Sequence, residues 1–202
     1  MSTTPQVRTR HPLVLVAIAL FTIVSITGAG LVQGQSAQAA DISASRSAAA
    51  TPPQADQSVS ALRTALLLWW SAARGDNFIA GTAAEDQSAR EAGYSFSRQE
   101  GWGLKTQDPG TVPLYLFWSA GRGDNFSTAT QVGIDSAYAA GYSYAGIQAY
   151  IYPVQVSGTV PLYQFWSSTR QDNFATATAE GINSAYAAGY TLARVEGYVY
   201  PN

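Results

Sequence analysis

Three copies of one aromatic and polar motif contain the side chains best suited to binding a ligand. In each copy a tryptophan is followed by an arginine and then by an Asp-Asn pair. The copies are Trp70, Arg74, Asp76 and Asn77; Trp118, Arg122, Asp124 and Asn125; and Trp166, Arg170, Asp172 and Asn173. A flat ring stacks on a sugar while a few polar groups fix its hydroxyls, which is the usual composition of a carbohydrate pocket. We therefore predict that these residues bind a ligand.

The same side chains also suit structural roles, and the sequence leaves both interpretations open. A tryptophan fills the inside of a small repeat well. An aspartate in a turn accepts backbone N–H groups, and the arginine two residues earlier can pair with the same carboxylate. Calcium is a weaker third interpretation, because one carboxylate per copy falls far below the number of ligands that calcium takes. We expect no metal site and no cofactor.

The motif recurs at a constant spacing of 48 residues (118 − 70 and 166 − 118). Gly-Tyr pairs at 93–94, 141–142 and 189–190 keep the same register. A fixed period of this size indicates a repeat architecture, in which neighbouring units bury one core together. We predict one domain over residues 61–202, with repeats at about 62–109, 110–157 and 158–202.

Each repeat has the pattern of two short strands, a helix and a long strand. Aromatic residues alternating with aliphatic ones at 114–118 favour a strand. A turn with Gly, Asp and Asn leads to a second strand at 126–130. Thr82 followed by Glu85 predicts a capping box at the start of a helix, and the glycine of the Gly-Tyr pair ends that helix. A long strand then closes the unit, at 142–152 in the second repeat.

These elements predict a β-rich α+β fold in which the three repeats close into a body with approximate three-fold symmetry. A β-trefoil-like fold is the alternative, although its units normally lack a helix. Within the first strand, Gln164 lies on the same side as Trp166. A bare amide in a dry core costs about 1–3 kcal/mol. We therefore expect the tryptophan side of this strand to be the wetter one.

The N-terminal residues resemble an export signal. Arg8 and Arg10 precede an apolar stretch at 13–26, and the small residues at 37–39 fit a cleavage site. We predict a signal peptide over 1–39 and a secreted, extracellular protein. The alternative is an uncleaved membrane anchor, because 13–32 carries no charge and is long enough to span a bilayer. Either way the repeats lie outside the cytoplasm.

Residues 40–60 are rich in Ala, Ser, Gln and Pro and show no apolar period. Such a segment buries too little apolar surface to order itself, so we predict a disordered linker.

Charge and composition narrow the classes of partner. Without the two arginines of the predicted signal, 9 Lys and Arg stand against 13 Asp and Glu, a net charge of −4. A net-negative chain without a basic run argues against nucleic acid and anionic lipid as partners. We expect membrane contact only through an uncleaved anchor, and a monomer in solution.

Side-chain chemistry also narrows the classes of reaction. Cysteine is absent and His11 lies in the predicted signal. The commonest general base and the thiol nucleophile are therefore missing from the predicted mature chain.

The repeats resemble a known family. Pro-Leu-Tyr-x-Phe-Trp, Asp-Asn-Phe-x-Thr, Ala-Gly-Tyr and a final Tyr-x-Tyr are similar to the short aromatic repeat of unknown function found in secreted bacterial and fungal proteins. In that family the middle motif usually reads Gly-Asp-His-Phe-Tyr-Thr, and members often carry the repeats beside cell-wall or protein hydrolases. Here Asn77, Asn125 and Asn173 stand in place of the histidine, so this chain lacks any role that rests on it. The resemblance implies an extracellular accessory module.

The leading functional prediction is a non-catalytic module for carbohydrate or cell-envelope polysaccharide, because three copies of a weak site give avidity. A structural or protein-interaction module without a small-molecule site is the alternative. A glycoside hydrolase that uses paired carboxylates is a remote one. Glu100 and Glu196 recur at matching positions for such a pair, but the second copy has Gln148.

Export is directly testable. Protein isolated from the culture medium of the native host is expected to begin near Ala40, as N-terminal sequencing or intact mass would show. Membrane-bound material that begins at Met1 or Ser2 would favour the anchor.

Overall fold

The computed structural model describes residues 62–202, and the predicted signal peptide and linker lie outside them. Each repeat contains strand, strand, helix and strand in that order. They are β1 (Arg63–Ser71), β2 (Asp76–Ala80), α1 (Ala83–Glu91) and β3 (Ser95–Leu104); β4 (Val112–Ser119), β5 (Asp124–Thr128), α2 (Gln131–Ala139) and β6 (Ser143–Ile151); and β7 (Val160–Ser167), β8 (Asp172–Thr176), α3 (Ala179–Ala187) and β9 (Thr191–Val199). No helix among these is long and apolar enough to cross a membrane.

The strands of residues 62–202 form two antiparallel sheets and do not close into a barrel. The order is β2-β1-β3-β6-β4-β5 in the larger sheet and β8-β7-β9 in the smaller one. In every repeat the first strand lies between the short strand and the long strand. The predicted β-rich chain with three short helices is therefore confirmed.

The helix boundaries follow the capping residues. Thr82 accepts the backbone N–H of Glu85, and the Glu85 carboxylate accepts the N–H of Thr82, so the predicted capping box is confirmed. The glycine after each helix, such as Gly93 with a φ of 79°, adopts the left-handed conformation that ends a helix.

The second strand of each repeat begins earlier than predicted. It starts at the aspartate of the motif rather than at the phenylalanine, as in Asp124–Thr128. The turn is shorter because its last residue, Gly123, takes a φ of 70° and reverses the chain at once. As a result Asn125 lies in the strand, directly opposite Trp118 on β4.

The expectation that the tryptophan side of the first strand is the wetter one is wrong. Leu66, Leu114 and Leu162 on that side are buried, and Gln164 is only 1% exposed. The Gln164 amide nitrogen donates to the carbonyl of Phe165 at 3.0 Å and to Oδ1 of Asn173 at 3.3 Å, and these bonds offset part of the cost of burial, while its Oε1 has no partner within residues 62–202. A polar side chain thus lies in the core because the core supplies its partners.

Single β-bridges join the long strands of different repeats. Leu104 pairs with Tyr150. Trp102 pairs with Tyr200, and Tyr152 pairs with Tyr198. These bridges link the first repeat to the second, the second to the third, and the third to the first.

Buried carboxylates also join the repeats. Glu196 on β9 accepts hydrogen bonds from the hydroxyls of Thr128 (2.7 Å) and Thr130 (3.1 Å) in the second repeat, and from Arg194 Nε at 2.6 Å. Glu100 on β3 binds the third repeat in the same way, through Thr176 and Thr178. Both carboxylates are buried, so each contact is electrostatically strong and its loss is costly.

The junction between the first and second repeats lacks this arrangement. Gln148 stands in place of the glutamate, and Ala80 in place of the buried threonine. The arginine is replaced by Gly146. Gln148 donates to the carbonyl of Ile79, and its Oε1 has no partner in the described chain. The glutamate, the arginine and the threonine are thus all replaced at this junction, so no buried charge remains without its partner.

Isosteric substitutions test these contacts. Glu196→Gln leaves the guanidinium of Arg194 half-buried without its carboxylate, and we expect it to lower the free energy of unfolding by about 3–5 kcal/mol in urea titrations. Gln148→Glu buries a charge without an arginine or threonine and should also destabilise the domain. A Glu196→Gln protein as stable as the wild type would contradict this account.

Candidate functional site

The short strands bring the three motif aspartates together. Strands β2, β5 and β8 lie against one another. Carboxylate oxygens of Asp76, Asp124 and Asp172 consequently lie within 4.8 Å of each other, and all three residues are buried. Residues separated by 48 positions in the sequence thus meet at one point.

The motif asparagines hold these carboxylates across the repeats. Asn125 donates to Asp76 through its backbone N–H (3.0 Å) and its Nδ2 (2.7 Å). Asn173 donates to Asp124 in the same way. Asn77 of the first repeat donates to Asp172 of the third, at 3.0 and 2.8 Å. The series of contacts therefore returns to the repeat in which it began.

A tyrosine of the same repeat donates a further hydrogen bond to each aspartate. The hydroxyl of Tyr94 donates to Asp76, that of Tyr142 to Asp124 and that of Tyr190 to Asp172.

The predicted role of the aspartates as acceptors inside their own turn is therefore wrong. The prediction that the arginines pair with these carboxylates is also wrong, since no ion pair within residues 62–202 involves Arg74, Arg122 or Arg170. The strands carry the aspartates inward, away from the turn.

Burial dominates the electrostatics of this centre. Burial, together with the charge of Asp172, raises the pKa of Asp124 to about 9. Burial raises the pKa of Asp172 to about 7. Burial and the adjacent aspartate also raise the pKa of Tyr142 far above its usual range, so its hydroxyl keeps the proton that it donates. Burial therefore favours the protonated carboxyl group at Asp124 and Asp172.

The sequence offers calcium one carboxylate per repeat, whereas the fold brings three carboxylates together. These carboxylates are the described residues whose geometry could hold a cation. Every one of them already accepts hydrogen bonds from an asparagine and a tyrosine. This donor set stabilises the centre by itself, so the carboxylates have a structural role that explains their burial.

The motif tryptophans and arginines gather at the surface between repeats. Trp166 lies opposite Asn173 in the β7–β8 ladder, and both contribute to one face. The guanidinium of Arg122, from the preceding repeat, lies 5.6 Å from the Trp166 ring and 5.3 Å from the ring of Tyr142. The three tryptophans are half-buried, at the ends of strands whose leucines are buried.

The Trp166 cleft is a hollow of about 360 Å³ between the second and third repeats. The third repeat supplies one wall and the second repeat the other. The lining residues are Trp166, Asn173, Ala193 and Arg194, with Arg122, Phe126, Ser136, Ala140 and Tyr142. Three of the four motif residues thus line one open cleft.

The Trp70 cleft is the equivalent hollow between the first and third repeats, of about 320 Å³. Trp70, Asn77 and Arg98 come from the first repeat, and Arg170 and Tyr190 come from the third. Phe96 stands on its rim and is 52% exposed. The volume of each cleft lies at the lower end of the range for small-ligand sites.

The Trp118 junction is the corresponding place between the first and second repeats. The Arg74 guanidinium lies 5.8 Å from the Trp118 ring, and Asn125 donates to the hydroxyl of Tyr94 at 3.2 Å. Gly146 occupies the position of Arg98 and Arg194, so this junction has one arginine where each cleft has two.

Several residues of these sites were not predicted from the sequence. Tyr94, Tyr142 and Tyr190 follow their aspartates by 18 residues in every copy, so the repeat register contained the signal. Arg98 and Arg194 occur in two copies only, and nothing local distinguishes them from exposed arginines. The remote candidates for paired catalytic carboxylates, Glu100 and Glu196, are buried and hold neighbouring repeats together.

Residues 65–200 match the family described as "Domain of unknown function (DUF5648)". This match spans most of the chain, so the protein belongs to that family. No curated protein and no solved structure matches the chain. Family membership by itself names no ligand, and the functional conclusion rests on the clefts.

The pH dependence of stability tests the buried carboxyl groups. Because the folded pKa values of Asp124 and Asp172 lie above the ordinary value of 3.8, the native state binds more protons between about pH 4 and pH 9. The stabilising contribution of these two carboxyl groups to the free energy of unfolding is present at the acidic end of this window. It is lost as the pH rises through about 7 for Asp172 and about 9 for Asp124. Within the window, the free energy of unfolding falls by up to about 1.4 kcal/mol per pH unit for each extra proton that the native state binds.

We expect lower unfolding free energy at pH 9 than at pH 6 in EDTA-containing buffer, measured by urea titration. Asp124→Asn should flatten this dependence, whereas Asp135→Asn on the exposed face of α2 should leave it unchanged. Stability that is constant or rises over this range would show that the carboxyl groups are ionised in the folded protein.

Proposed function

We propose that this protein is a secreted, non-catalytic module that binds carbohydrate, with cell-envelope polysaccharide as the leading class. The observation that carries the proposal is the gathering of the motif tryptophan, arginine and asparagine in one open cleft, at two separate places. A half-buried indole offers a flat apolar face, and the surrounding polar groups supply donors and acceptors. This combination suits a pyranose ring better than an apolar ligand.

Two features support binding without catalysis. The described clefts contain no aspartate or glutamate among their lining residues, whereas glycoside hydrolysis requires a pair of carboxyl groups at the bond to be cleaved. The motif aspartates lie in the centre and are engaged by asparagines and tyrosines. A glycoside hydrolase built on Glu100 and Glu196 remains the remote alternative, against which their burial counts.

We also propose that the three repeats form a ring with approximate three-fold symmetry. The asparagine–aspartate contacts and the β-bridges both run from each repeat to the next and from the third back to the first. Such a ring presents its clefts outward around one body. Weak sites on one body engage a multivalent polymer together, which adds avidity.

A protein-interaction module is the second candidate, and one surface favours it. Tyr138 and Tyr144 are 58% and 51% exposed and pack edge to face around Phe117. With Tyr115 and Ile134 they border a hollow of about 290 Å³. Exposed aromatic clusters are typical of protein contacts as well as of sugar contacts.

A glycan array probed with residues 40–202 tests the proposed function. We expect weak binding per site and stronger retention on a multivalent surface, by a factor of about 10²–10⁴. Trp166→Ala should reduce binding with a modest loss of stability, because the ring is half-buried.

Phe165→Ala is the matched control. Phe165 is the immediate neighbour of Trp166 in the sequence, and its ring is buried on the opposite face of β7. Truncation to alanine should lower the free energy of unfolding by about 3–5 kcal/mol. If Trp166→Ala destabilises the domain as much as Phe165→Ala and no glycan is retained by the wild type, the protein-interaction module becomes the better conclusion.

A further inference from the structure

The two clefts share an electrostatic feature that the net charge of the chain conceals. Each is lined by two arginines and by no carboxylate. They are Arg122 and Arg194 in the Trp166 cleft, and Arg98 and Arg170 in the Trp70 cleft. One arginine of each pair is bound to a buried glutamate, Glu196 or Glu100, so the other arginine supplies the local positive charge that would draw an anionic group.

The two arginines of a cleft are not equivalent. Arg194 is held by Glu196 at 2.6 Å, and its Nη2 is buried without an acceptor within residues 62–202. Within the described chain, Arg122 contacts the rings of Tyr142 and Trp166 and the hydroxyl of Tyr142, at 3.5 Å, and forms no ion pair there. The uncompensated charge of the cleft is therefore that of Arg122, while Arg194 contributes donors that are fixed in direction by its carboxylate.

The Trp70 cleft differs from the Trp166 cleft by one carboxylate at its edge. Glu180, at the start of α3, lies 3.5 Å from Arg98 Nη1 and is exposed. The equivalent residue beside Arg194 is Val132. Gly133, which follows it, packs so closely that an added Cβ would lie 2.8 Å from Arg194 Nη2. Glu180 thus competes for one arginine in the Trp70 cleft, and among residues 62–202 the Trp166 cleft has no such exposed competitor.

We infer that the saccharide bound by the clefts is acidic, with a ring carboxylate that is received by the paired arginines while the ring stacks on the tryptophan. The carboxylate accepts from Arg122 in the Trp166 cleft and from Arg170 in the Trp70 cleft. Affinity falls from the Trp166 cleft to the Trp70 cleft and is lowest at the Trp118 junction, where Gly146 replaces the second arginine. This inference rests on the proposed function and specifies its substrate class.

Isothermal titration with an oligogalacturonate and with its methyl ester tests the carboxylate directly. The two probes share the same sugar rings, and only the acid carries charge. We expect the acid to bind at least about tenfold more tightly, because a charge-assisted hydrogen bond is replaced by a neutral contact in the ester. Binding of the acid should also weaken as salt rises from 50 to 500 mM, because salt screens exposed charges.

Substitutions then separate the sites. Arg122→Gln should weaken binding of the acid by about tenfold at the tighter site and leave the ester nearly unaffected. Val132→Glu gives the Trp166 cleft the competitor that Glu180 provides in the other cleft, and should lower its affinity. Glu180→Val should raise the affinity of the Trp70 cleft. Arg90→Gln is the charge-matched control, since Arg90 lies on α1 and pairs with Asp86 outside the clefts.

The outcomes distinguish this inference from the proposed function. Equal binding of acid and ester, or array hits that are all neutral sugars, would leave carbohydrate binding intact and overturn the acidic ligand. Retention of sulfated or phosphorylated glycans, with uronate-bearing ones excluded, would overturn the carboxylate assignment. Failure of every glycan on the array would overturn the proposed function itself.

Discussion

Three carboxyl groups buried at one point are the constraint on which the rest of this structure depends. Burying charged groups together is strongly unfavourable unless each is protonated or hydrogen-bonded. Here each aspartate receives the side-chain and backbone N–H groups of an asparagine from another repeat, together with a tyrosine hydroxyl from its own. No repeat supplies the asparagine that donates to its own aspartate. A fragment that lacked one repeat would leave a buried carboxylate without its asparagine, so the centre makes the three units interdependent.

The clefts are a consequence of the same arrangement. Within a strand, successive side chains point to opposite sides, so the aspartate and the asparagine of each pair leave the strand in different directions. In the third repeat, Asp172 and Asn173 begin β8, and Asn173 lies across the ladder from Trp166 while it donates to Asp124. The hydrogen bonds that hold the centre therefore also fix the tryptophan side of each cleft against the arginine of the preceding repeat. Binding surface and structural centre share their asparagines.

The repeats differ where the junctions differ. At two junctions a buried glutamate, an arginine and a threonine form one cluster, and a glycine in the adjacent helix makes room for it. At the junction of the first and second repeats, all four positions change together, to Gln148, Gly146, Ala80 and Glu85. Once the threonine and arginine are absent, the helix no longer needs a glycine, and Glu85 instead forms the capping box. The loss of the arginine also leaves the Trp118 junction with one arginine, Arg74, where each cleft has two.

Much of the local structure could be predicted from the sequence because it depends on nearby residues. The repeat period, the helix with its threonine cap and the glycine that ends it are local properties, and so is the alternation of the strands. The motif residues could also be singled out, because they recur at a fixed spacing. The side of the strand that faces the core could not be inferred from Gln164 alone, since the cost of burying an amide depends on partners such as Asn173 that lie nine residues away.

What the tertiary structure decided is how residues of different repeats combine. From the sequence, each aspartate appears as one carboxylate beside an arginine, and its own turn is the nearest source of partners. In the fold it meets two other aspartates and an asparagine from a neighbouring repeat, because the short strands β2, β5 and β8 pack together. The pairing of Arg122 with Trp166 has the same origin. A repeat period fixes which residues are equivalent, but only the packing of the units determines which residues of different repeats come into contact, because those contacts span 31 positions or more.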